Sequence, residues 1–176
     1  MKILETRIRS VLEIQIDPRA DDRGFFARTF DTQIFKDLGI NHEWPQCNVS
    51  FNARSGTLRG MHFQNPPFAE PKLVRCTRGR AFDVAIDLRP GSDTLHQWAA
   101  VELDGERHNA IYIPAGFAHG FLTLTDDTEL FYHMGASYVP DAASGVRWND
   151  PAFAIEWPFP PAHMSERDAH YPDIAR

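Results

Sequence analysis

Between Ala81 and Arg89 the chain alternates large apolar side chains with small or charged ones. Phe82, Val84, Ile86 and Leu88 fall on one face; Ala81, Asp83, Ala85, Asp87 and Arg89 fall on the other. A period of two predicts a β-strand, here one with two dissimilar faces. Glu129 to Met134 alternates in the same way and groups Leu130, Tyr132 and Met134. HNAIYIP, GFLTL and FAIEWP read as further short strands. One stretch, FDTQIFKDLGI, has helical spacing: Ile34, Phe35 and Leu38 share a side, Asp31 or Thr32 stands at the N-cap, and Gly39 closes it. Short strands separated by Gly and Pro predict an all-β fold, an antiparallel barrel or double-sheet sandwich with a few short helices. The mouth of such a barrel is a natural ligand site.

Composition narrows this picture. A chain of 176 residues suits one domain spanning 1–176, and 43% apolar residues are enough to give it a core. The formal net charge of −6 argues against a nucleic-acid partner while leaving room for a local basic pocket. Cys47 and Cys76 are far apart and form no CxxC, so neither a disulfide framework nor a cysteine metal site is expected, and a reducing cytoplasm is the simplest setting. Glu5, Arg7 and Arg9 interrupt the first residues, and no run is long enough to cross a bilayer, so neither a secretory leader nor a membrane partner is expected.

The densest polar constellation is GTLRGMHFQNPPFAEPKLVRCTRG, with Arg59, His62, Gln64, Lys72, Arg75 and Arg78; a second, IPAGFAHGF, carries His119. On a strand His62 and Gln64 share a face, and a bulge at Gly60 would turn Arg59 toward the same side. Two chemistries compete for these residues. The metalloproteins of the cupin class use an HxH pair, a Glu and a later His, and His62 with His119 fits part of that skeleton. Gln64 stands where the second His would be, however, and Lys72 stands near the Glu position. An ammonium has no lone pair to give and repels a cation, which disfavours a metal. The other chemistry is acid–base work on an anionic substrate. His62 would be the base, Lys72 would stabilise an enolate oxygen, Tyr132 would donate a proton from the opposite side, and arginines would hold a diphosphate. Asp83, two-fold alternate with apolar neighbours, is an available partner for His62.

At RGFF, QCNVSFN, GTLRGMHFQ, KLVR, DVAIDLR, IPAGFAHGF and SERD, in order from Arg23 to Asp168, the chain resembles the dTDP-4-dehydrorhamnose 3,5-epimerase family. The resemblance implies a cupin-type β-jelly roll, usually a homodimer, working without metal or other cofactor. It implies that His62 is the general base, Asp168 the carboxylate that orients it, Tyr132 the general acid and Lys72 the residue beside the C4 oxygen. Arg59 and His119 match pocket residues; Arg23, Gln46 and Asn48 match nucleotide-sugar contacts; Tyr138 matches the aromatic that stacks on the nucleobase. Two positions depart from the family pattern: Arg28 and Ala143 stand where glutamates are common. Both are substrate-contact positions, with Arg28 a candidate for the diphosphate.

The activity so implied is epimerisation at C3 and C5 of dTDP-4-dehydro-6-deoxyglucose. The alternatives are a mono-epimerase of a dTDP- or CDP-linked 4-keto sugar, a 3,4-ketoisomerase, a non-catalytic sugar-binding cupin and, last, a metal-dependent dioxygenase.

Overall fold

The computed structural model describes residues 1–174. Its strands are β1 (Lys2–Glu5), β2 (Leu12–Gln15), β3 (Arg19–Asp21), β4 (Gly24–Phe26), β5 (Gln46–Asn52), β6 (Leu58–Gln64), β7 (Lys72–Arg78), β8 (Arg80–Asp87), β9 (Trp98–Asp104), β10 (Ala110–Ile113), β11 (Phe117–Thr123), β12 (Thr128–Met134) and β13 (Ala143–Gly145). Two short helices, α1 (Thr32–Asp37) and α2 (Glu166–Ala169), and a 3-10 turn at Pro140–Ala142 complete the set among the described residues. A six-stranded sheet runs β1-β2-β10-β7-β12-β5, a five-stranded sheet runs β13-β6-β11-β8-β9, and β3-β4 form a separate hairpin. Every pairing between these strands is antiparallel. The result is the expected all-β jelly roll, with its two large sheets packed face to face.

The dissimilar faces of β8 explain how the layers stack. Its small residues Ala81 and Ala85 look inward and join Val74, Ile111, Phe117, Phe121 and Leu130 in the core between the sheets. Its large residues Phe82, Val84 and Ile86 look outward, where Met61, Val146, Phe153 and Trp157 cover them. The stretch FAIEWP supplies part of that cover and is not a strand. Its alternation is real, because Phe153, Ile155 and Trp157 all pack on the outer face of the five-stranded sheet. The period reflects packing alone, however, since no neighbouring strand offers the segment a hydrogen-bond ladder. A third apolar cluster, with Phe35 of α1 at its centre, seals the outside of the six-stranded sheet. In α1 the Asp31 carboxylate accepts the Gln33 and Ile34 amides, and Gly39 follows at φ 67°.

The feature that positions the site is a bulge where β6 meets β11. His119 pairs with His62, yet Phe121 pairs with Arg59, so β6 carries one residue more than its partner there. Arg59 and His62, three apart, thereby reach the same wall of one cavity. Glycine is required on both strands. A Cβ on Gly60 would lie 2.6 Å from the Gly120 Cα, and one on Gly120 would lie 2.8 Å from the Arg59 carbonyl.

A buried carboxylate ends β8. Asp87 accepts the Arg89 amide and Nε at 2.9 Å, and the Ser92 and Thr94 hydroxyls at 2.6 Å. Burial pushes its pKa up, but these donors outweigh burial and hold it well below the ordinary carboxylate range. Asp87→Ala is expected to lower the unfolding free energy by about 2–3 kcal/mol in urea titrations. A carboxylate with a depressed folded-state pKa contributes fully above its unfolded value, and loses that contribution only as the pH falls through the folded one. The loss should therefore be the same at pH 7 and at pH 5.

Candidate active site

The two sheets part at one end around a cavity of about 340 Å³. Asn48, Arg59, His62, Lys72, His119, Tyr132 and Tyr138 line it, all named by the sequence. His62 and Arg59 come from β6 and His119 from β11, in the five-stranded sheet; Lys72 comes from β7, Tyr132 from β12 and Asn48 from β5, in the six-stranded sheet. His62 and Tyr132 thus stand on opposing walls.

His62 is held from behind. Its Nε2 lies 2.6 Å from Oδ1 of Asp168, and its side chain is 44% exposed where that of Asp168 is 7%. Asp168 is placed by α2, whose N-cap Ser165 hydroxyl accepts the Asp168 amide. Burial pushes the Asp168 carboxyl up, but hydrogen bonds from His62, Ser165 and the Gly60 amide outweigh it and keep the group below its ordinary value. With Nε2–H donated to this carboxylate, the lone pair of a neutral His62 ring sits on Nδ1, the acceptor side.

Asp83 does not partner His62. It accepts from Nε2 of His119 at 2.9 and 3.0 Å. The sheet order explains the difference, because β11 lies between β6 and β8, so a side chain on β8 meets His119 first. His62 and His119 are cross-strand neighbours, but each spends a ring nitrogen on its own carboxylate. Among the described residues, no group of three or more His, Cys, Asp or Glu is placed to hold a metal ion.

Tyr132 packs edge-on to His119, with ring centroids 6.1 Å apart. Burial pushes its phenol well above the ordinary value, the Asp83 charge adds to this, and Ser50 and Arg59 oppose it. The hydroxyl therefore keeps its proton across the physiological range. Lys72 is buried too: burial pulls its pKa below the ordinary amine value, and the charge and hydrogen bond of Glu70, with the charge of Asp83, offset only part of that. Arg59 is aimed by Asn52, whose Oδ1 accepts its Nε at 2.7 Å, while Asn52 itself donates to the Thr128 carbonyl.

Three of the sequence candidates lie elsewhere. Gln46 is not on the cavity wall; its Oε1 accepts the Tyr138 amide at 2.7 Å and so supports the tyrosine. Arg23 lies on the β3–β4 turn, paired with Asp21 at 2.6 Å. Arg28 precedes α1, paired with the N-cap Asp31 at 2.7 Å. Both arginines bind the nearest carboxylate on an exposed segment, and the chain does not bring either to its own cavity.

The structure adds residues the sequence reading passed over. Glu70 lines the cavity with Lys72, and Arg167 and Tyr171 close it from the C-terminal segment. Tyr171 packs edge-on to His62 at 5.7 Å, and the Arg167 guanidinium lies 5.5 Å from the Tyr171 ring. For Arg167 and Tyr171 the signal was position: Arg167 lies within SERD and Tyr171 three residues after it, so 167, 168 and 171 stay near one another once α2 turns the chain. Arg59, Lys72 and Arg167 against the single carboxylate Glu70 make the cavity basic in a chain of net charge −6. Gln64 is a clamp: its amide group donates to the Phe68 and Ser137 carbonyls and accepts the Val139 amide at 2.6 Å, holding the segment that carries Tyr138.

A jelly roll with an oriented histidine facing a protonated tyrosine across a basic cavity defines a site for proton transfer on an anionic ligand. The model of the family described as dTDP-4-dehydrorhamnose 3,5-epimerase matches residues 5–176. A protein of that name from Sinorhizobium fredii is 43% identical over 169 residues, covering 94% of this chain and 87% of the relative. The crystal structure of the Bacillus anthracis dTDP-4-dehydrorhamnose 3,5-epimerase, with TDP and PPi bound, superimposes with a TM-score of 0.94 at 38% identity, covering 98% of this chain and 99% of that one. The Legionella pneumophila dTDP-6-deoxy-D-glucose-3,5-epimerase, in complex with dTDP-4-keto-L-rhamnose, gives 0.91 at 36% identity, covering 98% and 92%. The chain belongs to the dTDP-4-dehydrorhamnose 3,5-epimerase family.

Gln64→Ala removes the one side-chain clamp that β6 places on the Tyr138 segment among the described residues. The Val139 amide should exchange with solvent deuterium at least ~10-fold faster, about 1.4 kcal/mol of lost local protection, while amides of β8 and β11 keep their rates. Unchanged exchange at Val139 would contradict the clamp.

Proposed function

We propose that this chain epimerises dTDP-4-dehydro-6-deoxyglucose at C3 and C5 to dTDP-4-dehydrorhamnose, using its own side chains for each proton transfer. The observation that carries this reading is the placement of His62 with Asp168 on one sheet and Tyr132 on the other, with the Lys72 ammonium on the same cavity. The C4 ketone acidifies the protons on C3 and C5. His62 Nδ1 removes one, and the Asp168 carboxylate stabilises the imidazolium that forms. Lys72 offsets the charge growing on the C4 oxygen as the enolate develops. Tyr132 then protonates the carbon from the opposite side, which inverts it; before the next turn solvent returns a proton to the tyrosinate and takes one from the His62 imidazolium. His119, tied to Asp83, adds a buried polar wall beside Tyr132.

Arg59 and Arg167 are the guanidinium groups for the diphosphate, and Tyr138, 59% exposed, offers its ring face to the base beside Asn48. Ala143 lines the cavity without adding a charge. We also propose that the chain is a homodimer. β5 is a free sheet edge carrying exposed Val49 and Phe51, and the β3–β4 hairpin exposes Phe25 and Phe26, the last at 74%. Arg23 lies in the turn of that hairpin and Arg28 just after it, so in this reading they reach a nucleotide only across an interface between copies. Its single domain and cytoplasmic setting fit two unpaired cysteines, and among the described residues no helix is long and apolar enough to cross a membrane.

In heavy water, NMR of the reaction should show deuterium at both C3 and C5. His62→Ala should abolish label at either carbon, and Tyr132→Phe should slow turnover by roughly 10²–10⁴-fold while both proteins stay folded. Label at one carbon would make the chain a mono-epimerase; a folded wild type that binds the nucleotide sugar and exchanges no proton would make it a binding protein. For the assembly, light scattering should give the mass of two chains, and Val49→Lys with Phe51→Lys the mass of one. A monomeric wild type would contradict the dimer.

A further inference from the structure

Glu70 is the one carboxylate among the described residues that line the cavity. Its two oxygens are divided between the two sheets. Oε1 takes Nζ of Lys72, on β7 of the six-stranded sheet, at 2.5 Å. Oε2 takes the Gln64 amide, on β6 of the five-stranded sheet, at 3.1 Å. Gln64 is two residues from His62, so the carboxylate ties the lysine to the strand that carries the base. Glu70 is 6% and Lys72 5% exposed, which leaves water little part in either contact.

We propose that Glu70 is a positioning residue for the proton transfer: its carboxylate straps the Lys72 ammonium across the sandwich and holds it, charged, at a fixed place beside the base. The inference rests on the function proposed above and names a residue that nothing in the sequence motifs marks.

Charge and geometry both point to this role. An amine taken out of water favours its neutral form unless an anion stays with it. The groups around Lys72 are His62 and Arg59 on β6, Asp83 on β8, His119 on β11, Tyr132 on β12, and Arg167 and Tyr171 from the C-terminal segment. Asp83 is the second anion, but both its oxygens are engaged by His119. Glu70 is therefore the dedicated counter-ion of Lys72, set against the nearby guanidinium groups of Arg59 and Arg167. An ammonium has three N–H groups. One is spent on Glu70, which fixes the direction of the other two.

Glu70→Gln keeps the shape and removes the charge. Its amide cannot accept from both Gln64 N–H and Lys72 Nζ, because one end now donates. With the counter-ion gone, Lys72 loses its proton at lower pH. The high-pH limb of kcat/KM should move down by about one pH unit or more. At neutral pH kcat should fall roughly 10–100-fold with KM within about three-fold, since the loss lies in the transition state. In a Lys72→Met background, Glu70→Gln should lower kcat no further. Glu70→Asp keeps the charge but is too short for both contacts. Its pH limb should stay at the wild-type position while kcat falls, and this variant carries the test should Glu70→Gln not fold.

A merely structural glutamate would lower the active fraction and leave the pH limb where it was. A folded Glu70→Gln with the wild-type profile, or a Glu70→Asp with the wild-type kcat, overturns the inference alone, provided wild-type protein exchanges label in heavy water. A folded wild type that exchanges none overturns the proposed function and this inference with it.

Discussion

A sandwich that opens far enough to admit a sugar ring must line the opening with polar groups, and each charge so buried needs a partner. That constraint organises the end of this fold where the chemistry lies. His62 is held by Asp168, His119 by Asp83, Lys72 by Glu70 and Arg59 by Asn52. Asp168 comes from α2, Asp83 and Asn52 from other strands, and Glu70 from the loop before β7, where its second oxygen reaches the Gln64 amide on β6, so each partner also ties elements together. The same pairing that makes burial tolerable fixes where lone pairs and protons sit. His62 presents Nδ1 because Nε2 is engaged, and Tyr132 keeps its proton because its surroundings are dry and face Asp83.

Much of this was legible in the sequence because strand alternation and cavity-lining coincide. The two faces of β8 and the inward set Leu130, Tyr132 and Met134 follow from a period of two, and the bulge at Gly60 from a glycine within the strand that carries Arg59 and His62. What was not legible depended on tertiary order. Asp83 was an open partner for His62 until the strand order put β11 between them. FAIEWP has strand periodicity but no strand beside it, and only the layer it covers shows why it alternates. Glu70 precedes β7 by two residues and carries no pattern; it becomes visible once the sheets bring β6 and β7 to one carboxylate. Arg23 matches a family contact and Arg28 stands where the family commonly has a glutamate, yet in the chain itself each lies on an exposed segment bound to a near carboxylate.

Membership of the epimerase family and the cavity's geometry bear on different questions. The family fixes the kind of reaction the scaffold has been used for. The geometry puts His62 and Tyr132 on opposing sheets around one cavity; in the proposed mechanism they act as base and acid on opposite faces of a flat enolate, and inversion follows from where the walls stand. The bulge is what brings His62 and Arg59 to one wall, since without the extra residue on β6 they would alternate on different faces.

The most direct test of that account is a crystal structure with a dTDP-linked 6-deoxyhexose bound. The account predicts the hexose ring between His62 Nδ1 on one face and Tyr132 Oη on the other, with the C4 oxygen within hydrogen-bond reach of Lys72 Nζ. A ring that presents the same face to both residues, or a C4 oxygen turned away from Lys72, would contradict it.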